Sequence, residues 1–132
     1  MKKLIVLMLL PFMVFANDQG EVTTYTVYDG DTLTGATIDI GWNVSLTNQR
    51  IRIFGIDTPE LRTKDPEEKK SAQMSTQALK DLLLSSSKVT VTLVKRDSFG
   101  RLLCHVAVET SKGTIDVAEY MLSTGMAKVY KK

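Results

Sequence analysis

The segment Ile56-Asp57-Thr58-Pro59-Glu60, followed by Asp65-Pro66-Glu67-Glu68, divides this 132-residue chain between strand and helix. Pro59 has no amide to give a sheet and holds Thr58 in extended geometry, so a strand ends here. Asp65 then reads as a helix N-cap, with Pro66 in the first turn and Glu68 completing a capping box. Ala72, Thr76, Leu79, Leu82 and Leu83 recur at helical spacing and predict one amphipathic helix to about Leu84, stopped by Ser85-Ser86-Ser87.

Working upstream, Val22 to Tyr28 is rich in Thr, Val and Tyr and predicts a strand ending in the turn Asp29-Gly30-Asp31. Asp31 to Ile40 and Val44 to Ile56 supply two more strands, with Gly41-Trp42-Asn43 or Asn48-Gln49 as the turn. Downstream of the helix, Val89 to Val94 is a fourth strand, Asp97-Ser98-Phe99-Gly100 a turn, and Leu102 to Val108 a fifth strand. Lys112-Gly113 turns the chain again. Val117 to Ser123 suits a short helix stopped by Gly125, and Met126 to Tyr130 is extended. Five strands with a helix after the third predict a mainly β, α+β domain: an OB-type Greek-key barrel with one main helix and a short second one.

At the N-terminus, Met1-Lys2-Lys3 precedes a stretch from Leu4 to Phe15 that is apolar except at Pro11. This is the pattern of a signal peptide, with cleavage expected after Ala16 and a single domain over residues 17–132. An uncleaved anchor or a buried N-terminal strand is the alternative, but the apolar run is short of the roughly 20 residues a membrane span needs. Export to a periplasm or to the medium is therefore expected, with no stable membrane association after cleavage. Lys2 and Lys3 leave with the leader, so the 17 basic and 15 acidic residues of the whole chain become 15 of each. That balance excludes a broad cationic coat for nucleic acid and makes any phosphate binding local.

Cys104 is the sole cysteine, which excludes an intramolecular disulfide. Strand alternation groups it with Leu102, Val106 and Val108 and turns His105 to the other face, so it reads as a core filler.

Carboxylates gather in two turns, Asp29-Gly30-Asp31 and Asp57-Thr58-Pro59-Glu60, each at a strand end. Hard cations such as calcium take oxygens from carboxylates, main-chain carbonyls and water, so two aspartates and a turn carbonyl would make an open, partly hydrated site. Taken singly, each is more readily a plain turn or strand terminator than a site. Arg52, on the third strand, and Arg101, at the start of the fifth, are planar forks suited to two phosphate oxygens, although strand-end arginines are usually solvated.

Taken in order, Asp29-Gly30-Asp31-Thr32, Arg52 to Glu60, Asp97 to Arg101, and Val117 to Tyr130 resemble the staphylococcal nuclease family. The resemblance implies an OB-type barrel and a calcium-dependent endonuclease that cuts DNA and RNA with little sequence preference, leaving 3′-phosphate ends. It also implies roles. Asp31 and Asp57 would hold calcium through carboxylates and Thr58 through its carbonyl, with Asp29 in support. Glu60 would position or deprotonate the attacking water, and Arg52 and Arg101 would grip the scissile phosphate. Tyr130 and Phe99 would be accessory.

The chain departs from its relatives at Ser98 and Phe99, where they carry lysine and tyrosine just before the Gly-Arg pair. Phe99 still offers a face for a base. Trp42 is either a stacking platform or, as turn tryptophans more often are, a cover for the core edge. Lys95-Arg96 and Lys131-Lys132 read as solvated charge pairs, and His105 as a surface or core histidine. A rival reading is a catalytically silent barrel of the same fold that binds nucleic acid or protein; another is an exported binding protein whose acidic turns hold calcium for structure alone. Nothing in the sequence requires a protein partner, and a monomer is expected.

Overall fold

The computed structural model describes residues 18–131. The leader expected at residues 1–16 lies outside the described residues.

The elements follow the chain as β1 (Gln19–Asp29), β2 (Thr32–Asp39), β3 (Ser45–Ile53), β4 (Ile56–Asp57), α1 (Pro66–Leu84), β5 (Lys88–Arg96), β6 (Leu102–Thr110), β7 (Gly113–Asp116), α2 (Val117–Ser123) and β8 (Lys128–Val129). The sheet order is β3-β2-β1-β5-β6-β7, and a further pairing of β3 with β6 closes five of these strands into a barrel. That closing pair is parallel, with Ile51 beside Leu102 and Ile53 beside Cys104, whereas every other pairing is antiparallel. The result is the OB-type barrel with two helices that the strand pattern predicts.

Alternation builds the interior. Leu33, Ile51, Ile53, Leu79, Val106, Val108, Val117 and Met121 are fully buried in one continuous core. Each such side chain contributes about 1.5–3 kcal/mol by leaving water. Cys104 is part of this core, as expected. Helix α1 lays Ala72, Thr76, Leu79, Leu82 and Leu83 inward, together with Ser75.

Several local expectations are corrected. The predicted third strand, Val44 to Ile56, breaks at Phe54-Gly55, where Gly55 takes φ +86°, leaving Ile56-Asp57 as a separate strand paired with β8. The break redirects the chain so that Asp57 and Thr58 swing toward Asp31. Asp65 does cap α1, accepting from the Glu67 amide at 3.0 Å, but the capping box does not form. Glu68 instead accepts from the Thr63 hydroxyl at 2.8 Å, and that same hydroxyl receives the Asp65 amide at 3.2 Å. The predicted extended segment Met126 to Tyr130 is strand only at Lys128–Val129.

The β2–β3 turn falls at Gly41-Trp42-Asn43-Val44, where Trp42 and Asn43 take φ +57° and +59° and Val44 N–H bonds the Gly41 carbonyl at 3.0 Å. Trp42 is 96% exposed, so it does not cover the core edge. A hairpin turn with two left-handed residues points its side chains away from the sheet, which accounts for that exposure.

Candidate nuclease site

The site lies at the barrel end where β1 passes into β2, β3 into β4, and α1 crosses behind. The Asp29-Gly30-Asp31 turn is locked locally: the Asp31 amide donates to Asp29 Oδ1 at 3.0 Å. Asp31 is 4% exposed, yet its carboxylate is fully satisfied. Its Oδ1 accepts from the Thr32 hydroxyl at 2.8 Å. Its Oδ2 accepts from the Thr58 amide at 3.0 Å and the Thr58 hydroxyl at 2.9 Å. The Asp31 main-chain carbonyl meanwhile takes the Ile53 amide at 2.8 Å, so both acidic turns are stitched to one point.

Arg52 completes the network. Its guanidinium lies 3.3 Å from Asp31 Oδ2 and 3.3 Å from Asp57 Oδ1, and its Nη1 also donates to the Ile53 carbonyl at 3.1 Å. Only 8% of Arg52 is exposed. Burying a charge is costly without a partner, and here two carboxylates share it. The Asp57 side chain, in contrast, remains mostly open to solvent.

Burial pushes the Asp29 carboxyl up to about 6, and the hydrogen bond and negative charge of Asp31 act in the same direction against the amide and hydroxyl donors around it. Asp29 is therefore reluctant to ionise beside Asp31, whose own charge faces Arg52. The Cys104 thiol is raised to about 11 by burial, which removes it as a nucleophile.

Glu60 lines a cleft of about 490 Å³ together with Asp57, Thr58, Pro59, Glu68, Ser71 and Ser75 from one side and Gly125 to Lys128 from the other. Its carboxylate is exposed and has no hydrogen-bond or ion-pair partner among the described residues. Tyr130 is anchored by its amide to the Gly55 carbonyl at 2.9 Å and sets its ring 6.0 Å from the Arg52 guanidinium carbon.

Arg101 has a carboxylate partner of its own. Its Nε donates to Asp97 Oδ2 at 2.7 Å, and Asp97 Oδ1 also receives the amides of Phe99 at 2.9 Å and Arg101 at 2.8 Å. Burial raises the Asp97 carboxyl, but these bonds from Arg101 and Phe99 outweigh it and leave the group below its ordinary value. Phe99 is 71% exposed, with the Arg101 guanidinium carbon 5.6 Å from its ring.

A family model for staphylococcal nuclease homologues matches residues 50–132. The chain belongs to the staphylococcal nuclease homologue family. No curated protein matches the sequence. The family match contains Arg52, Asp57, Thr58, Glu60, Phe99, Arg101 and Tyr130, while Asp29 and Asp31 precede it. Asp31 is joined to the matched segment by the bonds from Thr58 and Arg52, and Asp29 is tied to Asp31 by the Asp31 amide. Membership in this family points to a nuclease-related, nucleic-acid-directed function and leaves the individual roles to the geometry.

One feature of this family member escapes the sequence. Ser75, on α1, is buried against the Asp29-Gly30-Asp31 turn and donates to the Met126 carbonyl at 2.6 Å, tying helix and cleft wall together. A small polar residue at a helical core position is the signal that was available. His105, exposed, meets Phe54 edge to face at 5.1 Å and 73° on the outer barrel wall and touches none of the site residues.

Proposed function

We propose that this protein is an exported endonuclease that hydrolyses phosphodiester bonds of DNA and RNA with calcium, with little sequence preference, leaving 3′-phosphate ends. The observation that carries this reading is the Arg52 guanidinium seated between buried Asp31 and open Asp57, with Asp57 lining the same cleft as Glu60, which has no partner among the described residues.

The donor set fits a hard divalent cation. Asp31 and Asp57 would supply carboxylates and Thr58 a carbonyl, all oxygen, and a bound cation would favour ionisation of Asp29, which burial and Asp31 resist. When bound, calcium would polarise the phosphoryl oxygen and lower the cost of generating hydroxide from water. The chain's own residues do the rest. Glu60, ionised and open to the cleft, accepts a proton from the attacking water. Arg52, held between the two aspartates, and Arg101 on its Asp97 tether place forked donors on the phosphoryl oxygens, where negative charge grows in the transition state. Phe99 and Tyr130 offer aromatic faces beside the two arginines. The leader Met1 to Ala16 supports export, to a periplasm or the medium, and the domain is proposed to act as a monomer over residues 17–132.

Purified protein incubated with single-stranded DNA should degrade it in calcium, poorly in magnesium, and not in a chelator, because an irregular oxygen cage suits the larger ion. Full activity in chelator would overturn the metal assignment. Binding without cleavage in calcium would make the protein a silent nucleic-acid-binding barrel.

A further inference from the structure

Three adjacent strands carry an arginine at one level of the barrel. Because β3 and β6 run parallel with Ile51 beside Leu102, Arg50 and Arg101 enter that ladder side by side. On the other edge of β6, Arg96 of β5 pairs with Leu102 itself. All three surround the turn from Asp97 to Arg101.

The manner of their anchoring differs. Arg101 is paired with a carboxylate, whereas Arg50 Nη2 donates to the Phe99 carbonyl and Arg96 Nη1 to the Gly100 carbonyl at 3.0 Å. Gly100, at φ +77°, turns the chain so that these carbonyls face outward to the two forks. Among the described residues neither Arg50 nor Arg96 has an acidic partner, and Asp97, the single acid of the turn, is engaged by Arg101. A guanidinium carries five N–H donors, and each of these spends one on a neutral carbonyl. Both side chains are exposed. Two full charges with most of their donors unspent are thus held at fixed positions beside Arg101. A surface arginine without a ligand loses rotamer freedom for little return in such an arrangement.

We propose that Arg50 and Arg96 form a second phosphate-binding position next to Arg101, which takes the phosphate of a neighbouring nucleotide in a single-stranded nucleic acid. This rests on the phosphodiester reading of the site. Fixed forks match phosphate oxygens in two-point geometry, and a chain of near-neutral charge must place its phosphate contacts locally. The exposed Phe99 ring, beside the Arg101 guanidinium in the same turn, offers a face for the intervening base. The turn itself has Ser98 and no lysine, and here side chains from β3 and β5 provide the charge instead. The site is therefore a polymer reader, selecting substrates with more than one phosphate.

The test compares wild type, Arg50→Gln, Arg96→Gln and, as a distant control, Lys112→Gln at the β6–β7 turn. Binding of a labelled single-stranded oligonucleotide in chelator is followed against salt. Hydrolysis in calcium is followed on the same oligonucleotide and on a nitrophenyl thymidine phosphodiester, which has one phosphate. Each arginine variant should flatten the log affinity against log salt slope by about 0.7, the release expected for one phosphate contact on a single strand. Each should also raise KM for the oligonucleotide several-fold more than for the single-phosphate diester. Unchanged slopes, or an equal fall in turnover on both substrates at full binding, would overturn the proposal and leave these arginines as braces of the turn. Wild-type binding with no hydrolysis of either substrate would sink the nuclease reading, and the slopes would still decide the phosphate position.

Discussion

At Gly30 the chain passes closer to its neighbours than a side chain permits. A Cβ there would lie 2.8 Å from the Ser75 Cβ and 2.9 Å from the Thr58 Cγ2, and neither atom is the free end of a flexible group. Because Thr58 also supplies two of the bonds to Asp31, a displaced Thr58 would loosen the acidic pair. Gly30→Ala should therefore cost about 1–3 kcal/mol, the usual range for overpacking, seen as a lower urea midpoint with an unchanged slope. It should lower calcium-dependent activity as well; wild-type stability would mean that α1 shifts without resistance. Glu60 is the opposite kind of residue, exposed and without a partner among the described residues, so the described fold does not lean on it. Glu60→Gln should leave the melting temperature in place and lower turnover by about 10²-fold or more through loss of the proton acceptor. A fall in affinity with turnover preserved would recast Glu60 as a positioning group. The need for glycine between two aspartates was readable only as a turn signal; its tight contact with Ser75 depends on how α1 docks, which no local pattern records.

The turn from Asp97 to Arg101 shows how a short element sets a side chain. Asp97 accepts the Phe99 amide, the Arg101 amide and the Arg101 Nε, so one carboxylate fixes both backbone and guanidinium. Asp97→Ala should lower turnover roughly 10-fold or more by misplacing Arg101, and should also lower the melting temperature, because the turn loses three hydrogen bonds to one carboxylate. Equal turnover would show that substrate alone orients Arg101. The β2–β3 hairpin offers a contrast. Trp42 and Asn43 occupy left-handed backbone, a conformation that a bulky residue adopts at a cost and that Asn-Gly adopts readily. The tip stands at the far end of β2 and β3 from Asp31 and Arg52, about 25 Å along the strands at about 3.3 Å per residue. Replacing Trp42-Asn43 with Asn-Gly should therefore raise stability by about 0.5–1 kcal/mol with nuclease activity unchanged, and a loss of activity would place Trp42 in substrate contact. Elements whose signals are local were legible: the cap at Asp65, the helical spacing from Ala72 to Leu83 and the stop at Gly125 all act within a turn or two. The break of the third strand was not, because Ile53, Phe54 and Ile56 make one apolar run and a single glycine inside it decides the bend. The missing capping box has the same origin, since Thr63 competes for Glu68 from a loop without periodicity.

Across the molecule, the site is assembled by the parallel pairing of β3 with β6 and by the contact of Asp31 with Thr58, both between distant parts of the sequence. Strand count and order made the barrel legible, and the spaced motifs suggested which residues meet, but the anchoring of Arg50 on the Phe99 carbonyl follows only from closure. Closure also crowds Asp29 against Asp31, and this has a consequence for stability. In the metal-free protein the Asp29 carboxyl titrates near 6, raised chiefly by burial, whereas in the unfolded chain it returns to the ordinary value of about 3.9. Between those values the folded state holds a proton that the unfolded state has released, so this group makes stability fall as pH rises, and its penalty is complete above about pH 6. Asp97 runs the other way: its folded value is depressed, so its stabilisation is complete above the ordinary carboxylate range and is lost as pH falls through the folded value. The two windows overlap little, and an Asp29→Asn variant isolates the first, because asparagine can still accept the Asp31 amide but carries no charge. In chelator, the variant should melt close to wild type at pH 4.5 and increasingly above it from pH 5 to 7, with the difference level beyond that. Calcium should narrow the gap at pH 7 by opposing the same charge in wild type. A difference in melting temperature that stays constant from pH 4.5 to 7 would show that Asp29 ionises without strain, and a bound cation would then have no reluctant carboxylate to relieve.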